Sequence, residues 1–108
     1  KISIILGDSH QSSTLERLKK ELNGKKIDFL FIDGDHTYEG VKSDFEMYKD
    51  LVKKDGIIAF HDIVATEYHH KLNCYVDVLW NEIKSEYKYK EFIQDLNQRK
   101  YGIGVLTI

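Results

Sequence analysis

Two apolar runs, each breaking off in a turn that carries aspartate and histidine, constrain this chain more than any other feature. Ile27-Asp28-Phe29-Leu30-Phe31-Ile32 runs into Asp33-Gly34-Asp35-His36, and Gly56-Ile57-Ile58-Ala59-Phe60 runs into His61-Asp62. The near-continuous apolar character of the first reads as a strand buried on both faces, as in a parallel sheet. Parallel α/β sheets bind ligands outside the carboxyl ends of their strands. Both turns are therefore expected at one edge, where their oxygen and nitrogen atoms can converge.

The elements around these runs follow a regular order. An earlier run, Ile2 to Leu6, reads as a strand and stops at the turn-rich Gly7-Asp8-Ser9-His10. A helix follows: Ser13 and Glu16 have capping-box spacing, Leu15, Leu18 and Leu22 share a face, and Asn23-Gly24 ends it. Thr37 is a natural N-cap for a second helix, with Tyr38, Val41, Phe45 and Tyr48 at helical spacing. Ile63 to Asn73 reads as a loop holding Tyr68, His69 and His70, and Val76, Leu79, Trp80, Ile83 and Tyr87 mark an amphipathic helix with Cys74 on it. Tyr89 to Ile93 and Gly102 to Ile108, separated by the polar Asp95 to Lys100, suggest an antiparallel hairpin. The pattern predicts one α/β domain over 1–108, with a mostly parallel sheet and an antiparallel edge hairpin.

Composition narrows the functional classes. A chain of 108 residues, 42% of them hydrophobic, is long enough for one core and too short for two domains. Its net charge of −2 provides no field for nucleic acid or membrane surfaces, and no apolar stretch is long enough to span a bilayer. A single cysteine, Cys74, cannot form an internal disulfide, so a reducing cytoplasm is the default reading. The chain opens at Lys1 inside what reads as a strand, as a segment of a longer polypeptide would.

Asp33, Asp35, His36, His61 and Asp62 are the candidate site residues. Hard divalent cations take carboxylate oxygens with waters completing the shell, which Asp33 and Asp62 at neighbouring strand tips could supply. His61 could be a third ligand, and a His–carboxylate set suits Mn²⁺, Fe²⁺ or Zn²⁺ somewhat better than Mg²⁺. Asp33 and Asp35 also suit a plain turn, where Asp and Gly recur for backbone reasons. His36 at the helix entrance could accept a proton from a substrate hydroxyl, or simply help cap the helix. His69 and His70 read as solvated, and Cys74 as structural rather than nucleophilic. The Tyr and Trp residues at helical spacing read as core, and Gly102 and Gly104 as strand packing. No glycine-rich dinucleotide or phosphate loop is present.

These segments resemble a known family. Gly7-Asp8-Ser9, the stretch from Ile27 through Asp33-Gly34-Asp35-His36-Thr37-Tyr38, and Asp55-Gly56-Ile57-Ile58-Ala59-Phe60-His61-Asp62 are similar to class I S-adenosylmethionine-dependent methyltransferases, on the branch of cephalosporin-hydroxylase-like proteins and macrolide-sugar O-methyltransferases. Tyr101 to Val105 suits the last strand of that family. The resemblance implies a Rossmann-like fold and metal-assisted O-methyl transfer from S-adenosylmethionine to a hydroxylated small molecule or sugar. It places Asp33, His61 and Asp62 as ligands of a divalent cation (Mg²⁺ in the family), with His61 where relatives carry Glu or Asp. It makes His36 the general base, with Asp33 beside it in catalysis, and sets Asp8, Ser9 and His10 against the adenine of the cofactor.

The family's glycine-rich first loop and the acidic residue after its second strand have no counterpart here. In the family sheet order, 3-2-1-4-5-7-6, the two strands absent from this chain separate Ile2–Leu6 from Ile27–Ile32 by ~14 Å, three inter-strand spacings. The chain is thus expected to continue a longer polypeptide, repack its first strand or complete its sheet with a partner chain, a homo-oligomer included. By itself it is expected to bind S-adenosylmethionine weakly. Two other readings compete: a metal-dependent phosphoesterase, suggested by Gly7-Asp8-Ser9-His10 together with Asp33 and His61-Asp62 but needing further His and Asn ligands of which only His69 and His70 are available, and a non-catalytic assembly domain of the same fold.

Overall fold

The computed structural model describes residues 1–94 and 101–108, so the polar segment 95–100 lies outside the described residues. The elements run α1 (Ser12–Leu22), β1 (Ile27–Ile32), α2 (Tyr38–Tyr48), β2 (Val52–Val64), α3 (Glu67–Lys71), α4 (Val76–Ile83), β3 (Lys88–Phe92) and β4 (Tyr101–Thr107), with short 3₁₀ turns after α2 and α4. The four strands form one mixed sheet in the order β1-β2-β4-β3. β1 and β2 pair in parallel, whereas β2/β4 and β3/β4 are antiparallel, the last being the expected hairpin. This is the α/β architecture expected from the sequence, reduced on its parallel side to one pairing.

The reduction has a specific cause. Ile2 to Leu6, read as a strand, forms none: the segment is irregular, and Ile2, Ile4 and Leu6 are 91%, 78% and 79% exposed. A strand exists only through its ladder partner, and no neighbour for this run lies among the described residues. Burial of β1 on both faces is corrected for the same reason. Leu30 and Ile32 turn toward the core, but Phe29 and Phe31, stacked on each other at 6.5 Å, remain 57% and 46% exposed.

The helical face of the sheet is well filled. α2 supplies Val41 and Phe45, α4 supplies Val76, Leu79, Trp80 and Ile83, and these close over Ile58, Phe60 and Leu106. Phe60 links the two helices, with its ring 5.6 Å from Phe45 and 5.8 Å from Trp80. Trp80 lies directly on β4, where a Cβ on Gly104 would stand 2.6 Å from the indole; only glycine lets the ring approach this closely. The indole N–H donates to Glu91 Oε1 at 2.7 Å, and Lys84 Nζ donates to the same oxygen at 2.8 Å. Together these bonds hold the Glu91 carboxyl below its ordinary range.

The local signals hold in most places. Thr37 caps α2, its hydroxyl accepting from Gly40 N at 3.0 Å, and Asn23 ends α1 in the left-handed region. The capping box expected at Ser13 and Glu16 does not form. α1 begins two residues earlier than that box requires, at Ser12 with Gln11 as its N-cap, because the chain reaches it through a turn in which Gln11 N donates to Asp8 O at 3.1 Å. α1 buries no residue fully. The expected loop Ile63 to Asn73 is shorter than read: β2 extends to Val64 and α3 forms a single short helix. Cys74 precedes α4 instead of lying on it. Among the described residues no helix is long and apolar enough to cross a membrane.

Candidate active site

Because β1 and β2 are parallel neighbours in register, with Ile32 opposite Phe60, their carboxyl ends open side by side. Asp33 leaves the tip of β1 and His36 stands at the entrance to α2. Asp35 does not join them. Its Oδ1 accepts from Thr37 N at 2.8 Å, a bond that shapes the turn and holds its carboxyl below the usual range.

His61 and Asp62 pose a geometric problem, since adjacent residues of a regular strand point to opposite faces. The structure resolves it with a bulge. His61 is opposite Ile103 and Val64 opposite Tyr101, so three steps on β2 match two on β4. Asp62 takes up the extra residue with φ 62°, in the left-handed region. The bulge turns the Asp62 carboxylate back toward its neighbour, and Oδ2 comes to rest 3.2 Å from His61 Nδ1.

Four of the five candidates therefore meet. His36 Nε2 lies 3.1 Å from Asp33 Oδ1, and His36 Nδ1 lies 3.2 Å from Asp62 Oδ2. His61 Nδ1 lies 3.3 Å from Asp33 Oδ1. The ligand atoms fall into two groups that share His36: Asp33, His36 and His61 in one, and His36, Asp62 and Cys74 in the other, with all atoms of a group within 4.8 Å of one another. Cys74 Sγ stands 4.0 Å from His36 Nδ1, a neighbour that sequence distance conceals. Burial pushes the Cys74 thiol up, which argues against a free nucleophile.

A divalent cation fits this arrangement on one observation in particular. His61 Nδ1 is inaccessible to solvent and makes no hydrogen bond among the described residues, although two carboxylate oxygens lie within 3.3 Å of it. Each of these two separations from His61 is that of neighbouring ligands on a cation bound at ~2.1 Å, with Asp33 and Asp62 on either side of the imidazole nitrogen and in different ligand groups.

The side expected to face the cofactor lies next to this cluster. A cleft of about 480 Å³ opens between the N-terminal segment, α1 and the end of β1, lined among others by Ser9, Thr14, Leu30, Phe31, Asp33, Gly34, Asp44 and Tyr48. Of the three residues expected against adenine, Ser9 lines the cleft. Asp8 and His10 instead build the turn: Asp8 Oδ1 accepts from His10 N at 2.9 Å, and His10 Nε2 meets Gly40 O at 3.1 Å. Tyr48 donates to Ser9 O at 2.7 Å and fastens this turn to α2. Asp44 went unnoticed in the sequence. It is only 6% exposed, with Oδ1 at 3.3 Å from His10 Nε2, and its one sequence signal is a carboxylate between Val41 and Phe45 on the buried helix face. His69 and His70 stay apart from the cluster: His69 Nδ1 accepts from Thr66 N, and His70 Nε2 pairs with Asp77 at 3.0 Å. The two histidines that a phosphoesterase would draw on therefore do not converge here.

A family model for the methyltransferase domain matches residues 1–63, more than half of the 108 residues. The chain belongs to the methyltransferase domain family. The match takes in both strand ends and the Gly7 to His10 turn, so the class I resemblance read from those segments is met. A 36-residue stretch is 56% identical to the uncharacterized protein R132 of Acanthamoeba polyphaga mimivirus, covering 33% of this chain and 16% of the viral protein. A Staphylococcus aureus protein assigned as a caffeoyl-CoA O-methyltransferase superposes with a TM-score of 0.56 at 22% identity, over 95% of this chain and 50% of its own. That likeness shows the fold. This methyltransferase-family chain thus spans about half the length of its structural relative.

Proposed function

We propose that this chain forms the acceptor- and metal-side part of an S-adenosylmethionine-dependent O-methyltransferase acting on a hydroxylated small molecule or sugar. The observation that carries the reading is His36, held between Asp33 and Asp62 at the carboxyl ends of two parallel strands. Asp62 beside Nδ1 orients the imidazole, as a carboxylate does in other histidine-based sites. Nε2 is then the atom that accepts the hydroxyl proton, beside Asp33, where the acceptor oxygen would lie. S-adenosylmethionine supplies the methyl group as a sulfonium, and the cleft lined by Ser9, Thr14, Asp33 and Tyr48 is the part of its pocket that this chain provides. Asp33, His61 and Asp62 would hold a divalent cation, whose positive charge favours the ionised form of the acceptor.

The test is methyl transfer by the longest polypeptide that contains this segment, read as a mass gain on catechols and sugar hydroxyls. Transfer is expected to require a divalent cation, to stop with a chelator, and to fall at least about a hundredfold in Asp33→Ala. Chelator-resistant transfer, or an Asp33→Ala variant at full rate, would remove the metal-assisted assignment. Silence toward every hydroxylated acceptor, with S-adenosylmethionine bound, would leave a non-catalytic domain of the same fold.

A further inference from the structure

The carboxylates and imidazoles of the strand tips do not account for Cys74. We propose that His36, Asp62 and Cys74 form a site for a thiophilic divalent cation of the Zn²⁺ class, and that filling it takes His36 out of use as a base. Three separate parts of the fold supply the ligands: the turn after β1, the bulge of β2 and the link between α3 and α4. Asp62 Oδ2 and Cys74 Sγ lie 3.2 Å and 4.0 Å from the same nitrogen, His36 Nδ1. On tetrahedral zinc, with bonds of ~2.1 Å to N and O and ~2.3 Å to S, such ligands stand ~3.4–3.6 Å apart. A shift of a few tenths of an ångström brings each of these two pairs to that spacing, and Asp62 and Cys74 themselves lie within 4.8 Å of each other.

The backbone holds the three together. Tyr75 N donates to His36 O at 2.8 Å, fastening the residue after Cys74 to the main chain of its proposed co-ligand. Cys74 N donates to His69 O at 2.9 Å. The side chains of His36 and Asp62 are 33% and 18% exposed, so water can reach the fourth position. Binding would displace the thiol proton to solvent, and thiolate plus carboxylate would then balance the two positive charges. A sulfur ligand favours Zn²⁺ or Co²⁺ strongly over Mg²⁺, so this ligand set differs from the one proposed for methyl transfer while sharing Asp62 with it.

Binding is independent of the methyl-transfer reading; only the loss of the base rests on it. The experiment is titration with Co²⁺, followed by thiolate-to-cobalt charge-transfer absorption, with Zn²⁺ and Mg²⁺ as competitors. A band is expected that Zn²⁺ bleaches and excess Mg²⁺ leaves in place. Cys74→Ser should abolish it and weaken Zn²⁺ binding at least about tenfold, the minimum expected from losing a ligand. Co²⁺ binding without that band, absence of Co²⁺ binding, or equal Zn²⁺ affinity in Cys74→Ser would each overturn the site. Should the serine variant not fold, alkylation of Cys74 in the unmodified protein decides: Zn²⁺ must slow it, and an unchanged rate refutes the proposal. A protein that methylates its acceptor yet fails these tests would sink the zinc site alone. A protein that passes them while transferring no methyl group would sink only the enzymatic reading.

Discussion

Replacing His36 by Gln in the full-length polypeptide should lower kcat for methyl transfer by ~10²–10⁴-fold, the range for losing a positioned general base. KM for S-adenosylmethionine should change little on that proposal, because His36 is not among the residues that line the cleft from Ser9 to Tyr48. The fold should survive. The imidazole is a third exposed, and the bond that ties this turn to α4 uses the His36 main-chain carbonyl, which the substitution leaves in place. A kcat within a few-fold of the parent would remove it from the chemistry.

Trp80→Ala carries the largest expected effect on stability. The indole is 1% exposed, lies over Gly104, touches Phe60 and Tyr89, and gives its N–H to Glu91. Truncating a buried Trp costs about 3–5 kcal/mol, against a total of about 5–15 kcal/mol for a domain of this size. The backbone under the ring cannot close the cavity, since β4 is locked between β2 and β3. The urea midpoint, followed by circular dichroism because Trp80 is the single tryptophan, should fall accordingly at an unchanged m-value. Trp80→Phe should lose much less: it keeps an aromatic ring in the space and sacrifices a hydrogen bond worth about 1 kcal/mol, while Lys84 still pairs with Glu91. An alanine variant within about 1 kcal/mol of the parent would show that α4 does not anchor the sheet.

Much of this was legible in the sequence because it is set locally. Thr37 three residues before Gly40, Asn23-Gly24 after a leucine stripe, and the apolar runs of β1 and β2 each carry their own backbone reason. The same holds for the strand ends, where Asp33, His36, His61 and Asp62 were read and found together. What escaped depends on partners. Ile2 to Leu6 has a strand's composition, but composition cannot create the neighbour that a ladder requires. Phe29 and Phe31 looked buried because two-sided burial is a property of the layers around a strand, not of the strand. Asp44 was hidden as a carboxylate on an apolar helix face, and Cys74 is separated from His36 by 38 residues. The bulge at Asp62 left one faint trace, the tolerance of Asp for left-handed backbone.

That bulge divides the freedom of two adjacent positions. At 61 the main chain is ordinary strand, so imidazole could give way to a carboxylate or carboxamide with no conformational cost, which would shift the proposed site between borderline and hard cations. At 62 the φ of 62° admits Asp, Asn or Gly cheaply and charges a longer or β-branched side chain ~1–2 kcal/mol before any chemistry is counted. Asp62→Glu, which preserves charge and adds one methylene, is therefore the less conservative exchange of the two. Drift in ligand chemistry at this edge has one open door, residue 61, and the backbone keeps the other shut.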